Sequence, residues 1–267
     1  MLAFAANSLL CREALASGSI SAASFTLVRI VSGAVVLGLL AVGSDRRIRI
    51  GGSWPAAAAL FGYAAAFSFA YGSLSAGTGA LLLFGAVQVT MIVYGLRAGE
   101  RINVPQALGA ALAGGGLIGL LLPGIQAPPV VGAALMLGAG VSWGVYSLLG
   151  RGASQPIVAT AGNFIRATPF AIVLFLLAGR YGHASGVGIA YAVASGALAS
   201  GMGYALWYSV MPALAATTAA TVQLSVPVLA AFGGVMLLNE AITPRFVLAS
   251  LAVLGGISIF VLNKRRR

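Results

Sequence analysis

The sequence predicts an all-α membrane protein of ten transmembrane helices, arranged as two inverted repeats of five helices each. Two observations lead to this fold class. Of the 267 residues, 60% are hydrophobic and only 7% are charged, whereas soluble domains carry about 25% charged residues. Two stretches of the chain, residues 78–122 and 218–262, also match along their length. A duplicated apolar unit is typical of membrane folds built from repeats.

The two matching stretches share the same landmarks at the same spacing. Each begins with a threonine, Thr78 or Thr218, and reaches a glutamate 22 positions later, at Glu100 or Glu240. A short polar turn follows, and then an apolar segment with a glycine pair, Gly115-Gly116 or Gly255-Gly256. Because the chain has only four acidic residues, two of them at matching positions indicate a true duplication.

An apolar helix of about 20 residues crosses the hydrocarbon core of a bilayer. Ten segments are predicted to do so: Met1–Ala16, Ala22–Val42, Trp54–Leu74, Thr78–Leu96, Pro105–Leu122, Val130–Leu149, Pro156–Ala178, Val187–Tyr208, Ala213–Leu238 and Phe246–Leu262. Residues 1–122 form the first repeat and residues 130–267 the second. Because five spans are an odd number, the second copy enters the membrane from the opposite side, which makes the repeat inverted.

The first segment is shorter than its counterpart in the second repeat. About a dozen apolar residues precede Trp143, whereas only three residues precede Phe4 at the equivalent place. We therefore expect the natural chain to begin before Met1.

The basic residues predict the orientation of the chain. With a cytoplasmic N-terminus, ten basic residues lie on the cytoplasmic side: Arg46, Arg47, Arg49, Arg97, Arg101, Arg151, Lys264, Arg265, Arg266 and Arg267. The opposite links carry only Arg180 and Arg245. The positive-inside rule then places both termini in the cytoplasm of a multi-pass protein of a bacterial-type inner membrane.

Composition also excludes several classes of function. The net charge of +11 is an orientation signal and not a nucleic-acid footprint, because no basic patch alternates with exposed aromatic residues. One cysteine, Cys11, and one histidine, His183, cannot form a disulfide or a Cys/His metal site within the chain. We expect no metal and no cofactor, and as partners only a small-molecule substrate and membrane lipid. The oligomeric state stays open, and a monomer satisfies the pattern.

Several short motifs recur in both halves at consistent spacing. Trp143-Gly144 is followed by Arg151, and Phe4-Ala5-Ala6-Asn7 followed by Arg12 is a degraded first copy. The closing motifs are Ala98-Gly99-Glu100-Arg101 and Leu238-Asn239-Glu240-Ala241, with Pro227 before the second glutamate. Together these motifs resemble the drug/metabolite transporter superfamily, in its ten-helix EamA-type branch. The resemblance covers the whole chain, although Val87 replaces the proline expected in the first copy.

This resemblance implies a function as well as a fold. It implies a secondary carrier that exports or exchanges small organic metabolites by alternating access, with amino acids or amphipathic or aromatic analogues as substrates. The chain is similar to bacterial exporters of aromatic amino acids and metabolites. No nucleotide-binding motif is present, so transport would be facilitative or driven by a gradient.

Uncharged polar and aromatic residues are the candidates for substrate binding. Asn7, Gln88 and Gln223 place amides inside apolar spans, where an amide seeks a partner in the bundle interior. Hydrogen bonding between helices would explain them equally well. Trp143, Tyr146 and Tyr204 are predicted to line a cavity, with packing against lipid as the alternative. Tyr71 and Tyr208 are predicted to belong to the interfacial aromatic belt.

Charged and helix-bending residues are assigned structural or gating roles. Glu100 and Glu240 close their helices near opposite membrane faces, and Gly85 and Pro227 weaken the helices that line the site. Two glycine motifs, Gly115-x-x-x-Gly119 and Gly140-x-x-x-Gly144, are predicted to bring helices close together. Glu13 is expected at an interface, solvated or paired with Arg29. Arg166 is expected to extend toward the interface or cap a neighbouring helix, with contact to a substrate carboxylate as the alternative.

Three alternative functions remain distinct from a facilitative exporter. A proton-coupled multidrug exporter would need a carboxylate that titrates as the site alternates, and Glu13 is the candidate. A lipid-linked transferase would need a cluster of catalytic groups at membrane depth, which four scattered acids and one histidine do not supply, so we predict no enzyme. A channel or scaffold subunit does not require an inverted repeat.

The predicted orientation can be tested with single cysteines on a background that lacks Cys11. Cysteines at Ser44 and Ser185 lie in links on opposite sides of the membrane. We expect an impermeant thiol reagent to label Ser185→Cys from outside intact cells and Ser44→Cys only after the membrane is opened. Labelling of both from the same side would contradict the inverted topology.

Overall fold

The computed structural model describes residues 1–44, 51–124, 126–151, 153–179, 182–210 and 222–263, which form helices joined by short links. These residues contain no β-strand, and an isolated bridge joins Ile20 to Ala184. The helices are α1 (Leu2–Ala16), α2 (Ala22–Ser44), α3 (Trp54–Tyr71), α4 (Ala76–Arg97), α5 (Val104–Leu121), α6 (Val130–Leu149), α7 (Pro156–Leu174), α8 (Gly186–Val193), α9 (Gly203–Val210), α10 (Ser225–Leu238) and α11 (Pro244–Leu262). The prediction of an all-helical chain is confirmed for this part of the sequence.

Two long helical segments, which we call rods, contain π-helical turns. A π-helical segment, Phe175–Gly179, continues α7, and another, Ala194–Met202, joins α8 to α9 into one rod. Seven helices or rods among the described residues are long and apolar enough to cross a membrane: α2, α4, α5, α6, α7 with its π-helical turn, the α8–α9 rod and α11. The helices α1, α3 and α10 fall short in length or hydropathy over the residues described. The N-terminal part of the predicted ninth span, including Thr218, lies outside the described residues.

The helix starts follow from local sequence. Ser53, Ser75, Asn103, Ser185 and Thr243 each accept a hydrogen bond from a backbone N–H in the first turn of the helix that follows. Such caps satisfy donors that have no partner within the helix and contribute about 1 kcal/mol each. Asn103 also forms a reciprocal capping box with Gln106. Each cap starts a helix directly after a short link. Because the links are short, consecutive helices run antiparallel.

The ends of α4 and α10 repeat one device. Gly99 and Asn239 both adopt the left-handed conformation, with φ of 86° and 53°. Each directly precedes the glutamate of its matching stretch, Glu100 or Glu240. The N–H of that glutamate donates to a carbonyl in the last turns of the preceding helix. Left-handed residues at this position terminate helices, and glycine and asparagine adopt that conformation most readily. The duplication seen in the sequence is therefore present in the backbone.

Hydrogen bonds show which links lie at the same end of the bundle. The α1–α2 link contacts the α7–α8 link, because the Ser21 N–H donates to the His183 carbonyl and the Ser185 N–H donates to the Ser19 carbonyl. Arg245, at the start of α11, donates to the carbonyls of Gly119 and Leu122 at the end of α5. Arg12 and Glu240 join the end of α1 to the α3–α4 and α10–α11 links. We call this end, formed by every second link from the α1–α2 link onward, the odd face.

The opposite end gathers the remaining links. The Asn103 side chain, between α4 and α5, donates to the carbonyl of Asn263 after α11. The Ser53 N–H, before α3, donates to Asn163 in the first half of α7. We call this end the even face. Of the predicted cytoplasmic basic residues, Arg97, Arg101 and Arg151 are described here, and the remainder lie outside the described residues, as does Arg180.

Helix packing pairs equivalent elements of the two halves. Helix α2 packs on α7, α4 on α10, and α5 on α11. Helix α3 packs on α6, and its counterpart, the α8–α9 rod, packs on α1. The strongest contacts of these helices therefore link the first half of the chain to the second.

Glycines allow the closest of these approaches. A Cβ atom on Gly109 would lie 2.6 Å from the Gly256 carbonyl oxygen, and one on Gly116 would lie 2.7 Å from the Ala252 Cβ. Gly140 and Gly144 likewise face α4, as predicted. The prediction for Gly115 and Gly119 is wrong, because neither has a neighbour within 4 Å. In both glycine pairs the second residue meets the partner helix and the first faces open space, which sequence alone does not distinguish.

This difference gives a matched stability test. Gly256→Ala would place a methyl group against the α5 backbone, and overpacking of this kind costs about 1–3 kcal/mol. Gly255→Ala meets nothing within 4 Å and gains helix propensity. We expect the unfolding midpoint of the detergent-purified protein to fall by several degrees for Gly256→Ala and to stay level or rise for Gly255→Ala. Equal midpoints for the two variants would show that the α5–α11 contact is not close.

Candidate functional site

A cavity of about 360 Å³ lies between the two halves of the chain. This volume is at the lower end of the range of about 300–1,000 Å³ for small-molecule sites. Its walls come from α1, α3, α4, α6, the α6–α7 link, the first residue of α7, α9 and a residue two positions before α10. The lining residues are Phe4, Asn7, Ser8, Tyr63, Phe67, Leu83, Phe84, Val87, Met91, Trp143, Ser147, Gly150, Arg151, Ala153, Pro156, Tyr204, Trp207 and Gln223. None of these described residues is a carboxylate. The cavity reaches the even face at Arg151, Ala153 and Pro156.

Aromatic rings form one continuous wall of this cavity. The Trp143 ring lies 4.8 Å from Tyr63 and 5.3 Å from Tyr204, measured between centroids. Phe4 contacts Tyr204 and Trp207 at 5.8 and 6.4 Å. Contacts of this kind stabilise the packing by about 0.5–1.5 kcal/mol each beyond the area that they bury. They also present ring faces and edges to any molecule in the cavity.

A chain of hydrogen bonds lies at one side of the aromatic wall. The Ser195 hydroxyl donates to Asn7 Oδ1 over 2.5 Å, and Asn7 Nδ2 donates to Tyr63 Oη over 3.3 Å. Arg29 Nη2 donates to the same Tyr63 Oη over 2.9 Å. We call Ser195, Asn7, Tyr63 and Arg29 the Tyr63 network. It joins the π-helical segment Ala194–Met202, α1, α3 and α2 around a single phenol oxygen.

Arg29 is the buried charge of this network. Only 2% of its surface is exposed, and its guanidinium carbon lies 5.0 Å from the Tyr63 ring centroid and 4.9 Å from that of Phe67. Cation–π contacts of this kind contribute about 0.5–2 kcal/mol each. Its Nη1 atom has no hydrogen-bond partner in the described structure. Arg29 does not pair with Glu13, which is half-buried at the end of α1.

The odd face of the bundle is closed by an ion pair. Arg12 Nε donates to Glu240 Oε1 over 3.0 Å, and Arg12 Nη1 donates to the Tyr71 carbonyl over 3.1 Å. Glu240 Oε2 accepts from the Ala76 N–H at the start of α4 over 2.8 Å. We call these contacts the latch. A second, shallower pocket of about 230 Å³ surrounds Glu240 at this face.

The structure brings most of the predicted binding residues together. Asn7, Trp143, Tyr204 and Gln223 line the cavity. Tyr146 is buried behind Trp143, with ring centroids 5.4 Å apart, and Asn163 donates to its hydroxyl over 3.5 Å. Gln88 is not at this cavity. It lines a separate, mostly apolar pocket between α4, α5 and α11, because α4 presents Phe84, Val87 and Met91 to the cavity instead.

The predicted gating and structural residues occupy different settings. Glu240 is part of the latch, whereas the exposed Glu100 carboxylate lies over Gly95 at the opposite end of the molecule. Gly85 lies in an unbroken α4, where its missing side chain admits Leu117 of α5. Pro227 is the third residue of α10, and a turn at Leu224 interrupts the helix just before it. A proline ring excludes the carbonyl four residues earlier, here that of Gln223, so Pro227 accounts for the break beside the cavity.

Two other sequence interpretations are resolved by contacts. Tyr71 is fully buried, and its hydroxyl donates to the Ala76 carbonyl, so its assignment to the interfacial belt is wrong. The side chain of Tyr208 lies outside the described residues. Arg166 donates to the carbonyl of Gly51 in the link before α3 and to that of Gly162 in its own helix, so it binds backbone carbonyls without capping a neighbouring helix.

Several cavity residues were not singled out from the sequence. In the sequence, Phe4 stands out only as the counterpart of Trp143, and Tyr63 only as a member of an aromatic series in the third span. The i, i+4 series of Tyr63, Phe67 and Tyr71 was the available signal, since residues four apart share a helix face. Trp207 and Ser195 carried no such signal.

The chain matches the model of the EamA-like transporter family over residues 130–262. It is 56% identical to uncharacterized protein PA1977 of Pseudomonas aeruginosa, over 98% of this chain and 91% of that protein. It is also 33% identical to the threonine/homoserine exporter RhtA of Escherichia coli, over 48% of this chain and 44% of that protein. A solved crystal structure covers 99% of this chain and 98% of its own, with a TM-score of 0.68 and 21% sequence identity, so it shares the fold.

These similarities agree with the apolar helices and with the cavity between the two halves. The family model covers the second half of the chain, and the similarity to the Pseudomonas protein covers nearly its full length. The chain is a multi-pass membrane protein of the EamA-like transporter family, within the drug/metabolite transporter superfamily.

Proposed function

We propose that this protein exports small organic metabolites, amino acids or amphipathic or aromatic analogues, by facilitative alternating access or exchange. The observation that carries the proposal is the aromatic-walled cavity, which is latched at the odd face and reaches the even face. The name of the RhtA relatives, threonine/homoserine exporter, supports amino acids as the substrate class. The family membership favours a carrier over an enzyme.

The two halves are proposed to be inverted five-helix repeats around this cavity. The exchange of partners in helix packing supports a pseudo-twofold axis in the membrane plane. Positive-inside orientation would place the even face in the cytoplasm of the bacterial inner membrane. The conformation would then be open toward the cytoplasm, where an exporter loads its substrate, with the latch closing the outer side.

The cavity favours facilitative transport or exchange over proton coupling. No carboxylate lines it among the described residues, and Glu13 lies at the end of α1, with Ser17 donating to its backbone carbonyl. A proton-coupled exporter needs a titrating group whose access alternates with that of the substrate.

The function is tested by flux in proteoliposomes. Purified protein would be supplied with L-threonine, L-homoserine and L-phenylalanine, with and without a pH gradient. We expect saturable, substrate-specific flux that equilibrates and does not follow the pH gradient. Non-saturable flux would indicate a channel, and no flux with any of these compounds would contradict the proposal. Uphill accumulation driven by the pH gradient and lost in Glu13→Gln would establish the proton-coupled alternative.

The two glutamines within predicted spans, Gln88 and Gln223, provide a matched pair. Gln223 lines the cavity, whereas Gln88 lies in the separate apolar pocket against α5 and α11. We expect Gln223→Leu to reduce flux per folded protein at least severalfold and Gln88→Leu to leave it within about twofold, because leucine is well tolerated in a span. Flux would be normalised to monodisperse protein. A greater loss in Gln88→Leu would contradict the assignment of the cavity as the substrate path.

The latch predicts which side of the cavity is closed. Ser147 lines the cavity near the even face, so on a background that lacks Cys11 a cysteine there reports access through the cavity. We expect Glu240→Gln to raise labelling of Ser147→Cys by an external impermeant thiol reagent severalfold, because Arg12 loses its ion-pair partner. Glu13→Gln, a nearby change outside the latch, is the control and should leave the rate unchanged. An equal rate in both variants would show that the ion pair does not close the outer side.

A further inference from the structure

We infer that the Tyr63 network forms a carboxylate subsite at one side of the cavity, with Tyr63 as the direct donor and Arg29 as the charge that orients and polarises it. The inference rests on the proposed transport function and specifies the chemical group that the substrate must carry. It is drawn from a buried cation without a counter-ion, from the hydrogen bonds of one phenol oxygen, and from the charges of the cavity wall.

The first step concerns the missing counter-ion of Arg29. The described ion pair is Arg12–Glu240, and no described carboxylate oxygen lies within 4.0 Å of the Arg29 guanidinium. Glu13, Glu100 and Glu240 are the described acidic residues, and Asp45 lies outside the described part of the chain. A buried charge that lacks a partner is costly at membrane depth, and such charges usually serve ligands.

The second step concerns the proton of Tyr63. The phenol oxygen accepts from Arg29 Nη2 and from Asn7 Nδ2. Asn7 is held in this orientation because its own oxygen accepts from Ser195. A phenol can donate one hydrogen bond besides those that it accepts, and no acceptor for the Tyr63 proton is found among these contacts, so the O–H proton is left for another acceptor. Tyr63 lines the cavity, and an acceptor there would complete its hydrogen bonding.

The third step concerns the sign of the group that fits. A guanidinium bonded to the phenol oxygen strengthens the phenol as a donor, and donors of this kind bind anions better than neutral groups. The wall carries amide and hydroxyl donors and no described carboxylate, so it does not oppose an anion. An ammonium group would instead face the rings of Trp143 and Tyr204, which continue the aromatic wall from Tyr63. A substrate would fit this cavity if its carboxylate bound Tyr63 and if its apolar or cationic part contacted the aromatic wall.

Close backbone packing also holds the Tyr63 network in place. Gly196, in the π-helical segment beside Ser195, packs directly on the Arg29 carbonyl and the Ser32 hydroxyl, where no Cβ would fit. The segment therefore holds Ser195 and the Arg29 backbone together. Rigid support of this kind preserves donor geometry at a binding site.

The test compares L-phenylalanine with L-phenylalaninamide and 2-phenylethylamine, which keep the ring and lack the carboxylate. In proteoliposomes we expect the wild-type protein to transport phenylalanine with a half-saturation concentration at least tenfold lower than that of either analogue. Tyr63→Phe, which removes only the hydroxyl, should raise the value for phenylalanine about tenfold or more and leave the values for the analogues within about twofold. Tyr191→Phe, at a half-buried tyrosine of α8 outside the cavity, is the matched control and should change neither.

Arg29 is tested separately, since a substitution there could impair folding. Arg29→Met and Arg29→Lys would be compared as monodisperse proteins. We expect Arg29→Met to lose the preference for phenylalanine over phenylalaninamide and Arg29→Lys to recover part of it. If Arg29→Met does not fold, the Tyr63→Phe comparison decides alone.

The outcomes separate this inference from the proposed function. Wild-type protein that transports none of the three compounds nor threonine or homoserine would overturn both. Wild-type protein that transports phenylalanine and phenylalaninamide equally well, or a Tyr63→Phe variant that weakens all three compounds alike, would overturn the carboxylate subsite and leave the carrier intact.

Discussion

The buried guanidinium of Arg29 is the constraint on which the centre of this protein depends. A charge inside an apolar bundle must find dipoles or rings, and Arg29 finds the hydroxyl and face of Tyr63 and the face of Phe67. Tyr63 is thereby fixed, and it fixes Asn7, which in turn receives Ser195. Three helices and a π-helical segment are set around one oxygen atom, and the aromatic wall of the cavity begins there. Removal of the charge would weaken the connection among all four elements, because the bonds form one chain through Tyr63 Oη and Asn7.

Two interruptions of regular helix border this centre. The π-helical segment Ala194–Met202 carries Ser195 and brings Gly196 against α2, and such segments are common at functional sites. The turn at Leu224, which Pro227 enforces, lies beside Gln223 on the opposite wall. Within a membrane, non-helical backbone is tolerated where protein or an aqueous cavity satisfies its polar groups. Both interruptions meet that condition, and both adjoin the helices that would have to move if the cavity changed sides.

The sequence predicted the helices better than the faces they present. The long apolar runs predicted helix bounds that the described residues reproduce within a few positions, and Val130–Leu149 was correct at both ends. The direction of a side chain could not be inferred in the same way, because α4 and α5 are apolar around their whole circumference and carry no amphipathic stripe. Gln88 therefore looked equivalent to Gln223, and Gly115 looked equivalent to Gly116. Tyr71 was misassigned because distance along a span does not reveal whether a neighbouring helix covers the residue.

The matching arginines of the two halves, Arg12 and Arg151, lie in different environments. The difference indicates how the conformation of the molecule would change. Arg12 bonds to Glu240 and closes the odd face, while Arg151, at the equivalent place in the second repeat, lies 5.9 Å from the Tyr94 ring centroid at the edge of the cavity. The two motifs are similar but not identical, and the two arginines differ in the helices that are packed around them. In an inverted repeat the two halves can exchange these arrangements, and the exchange moves the opening of the cavity from one face to the other. The Arg12 environment is then the one that Arg151 would adopt when the even face closes, with Glu100 in the place of Glu240.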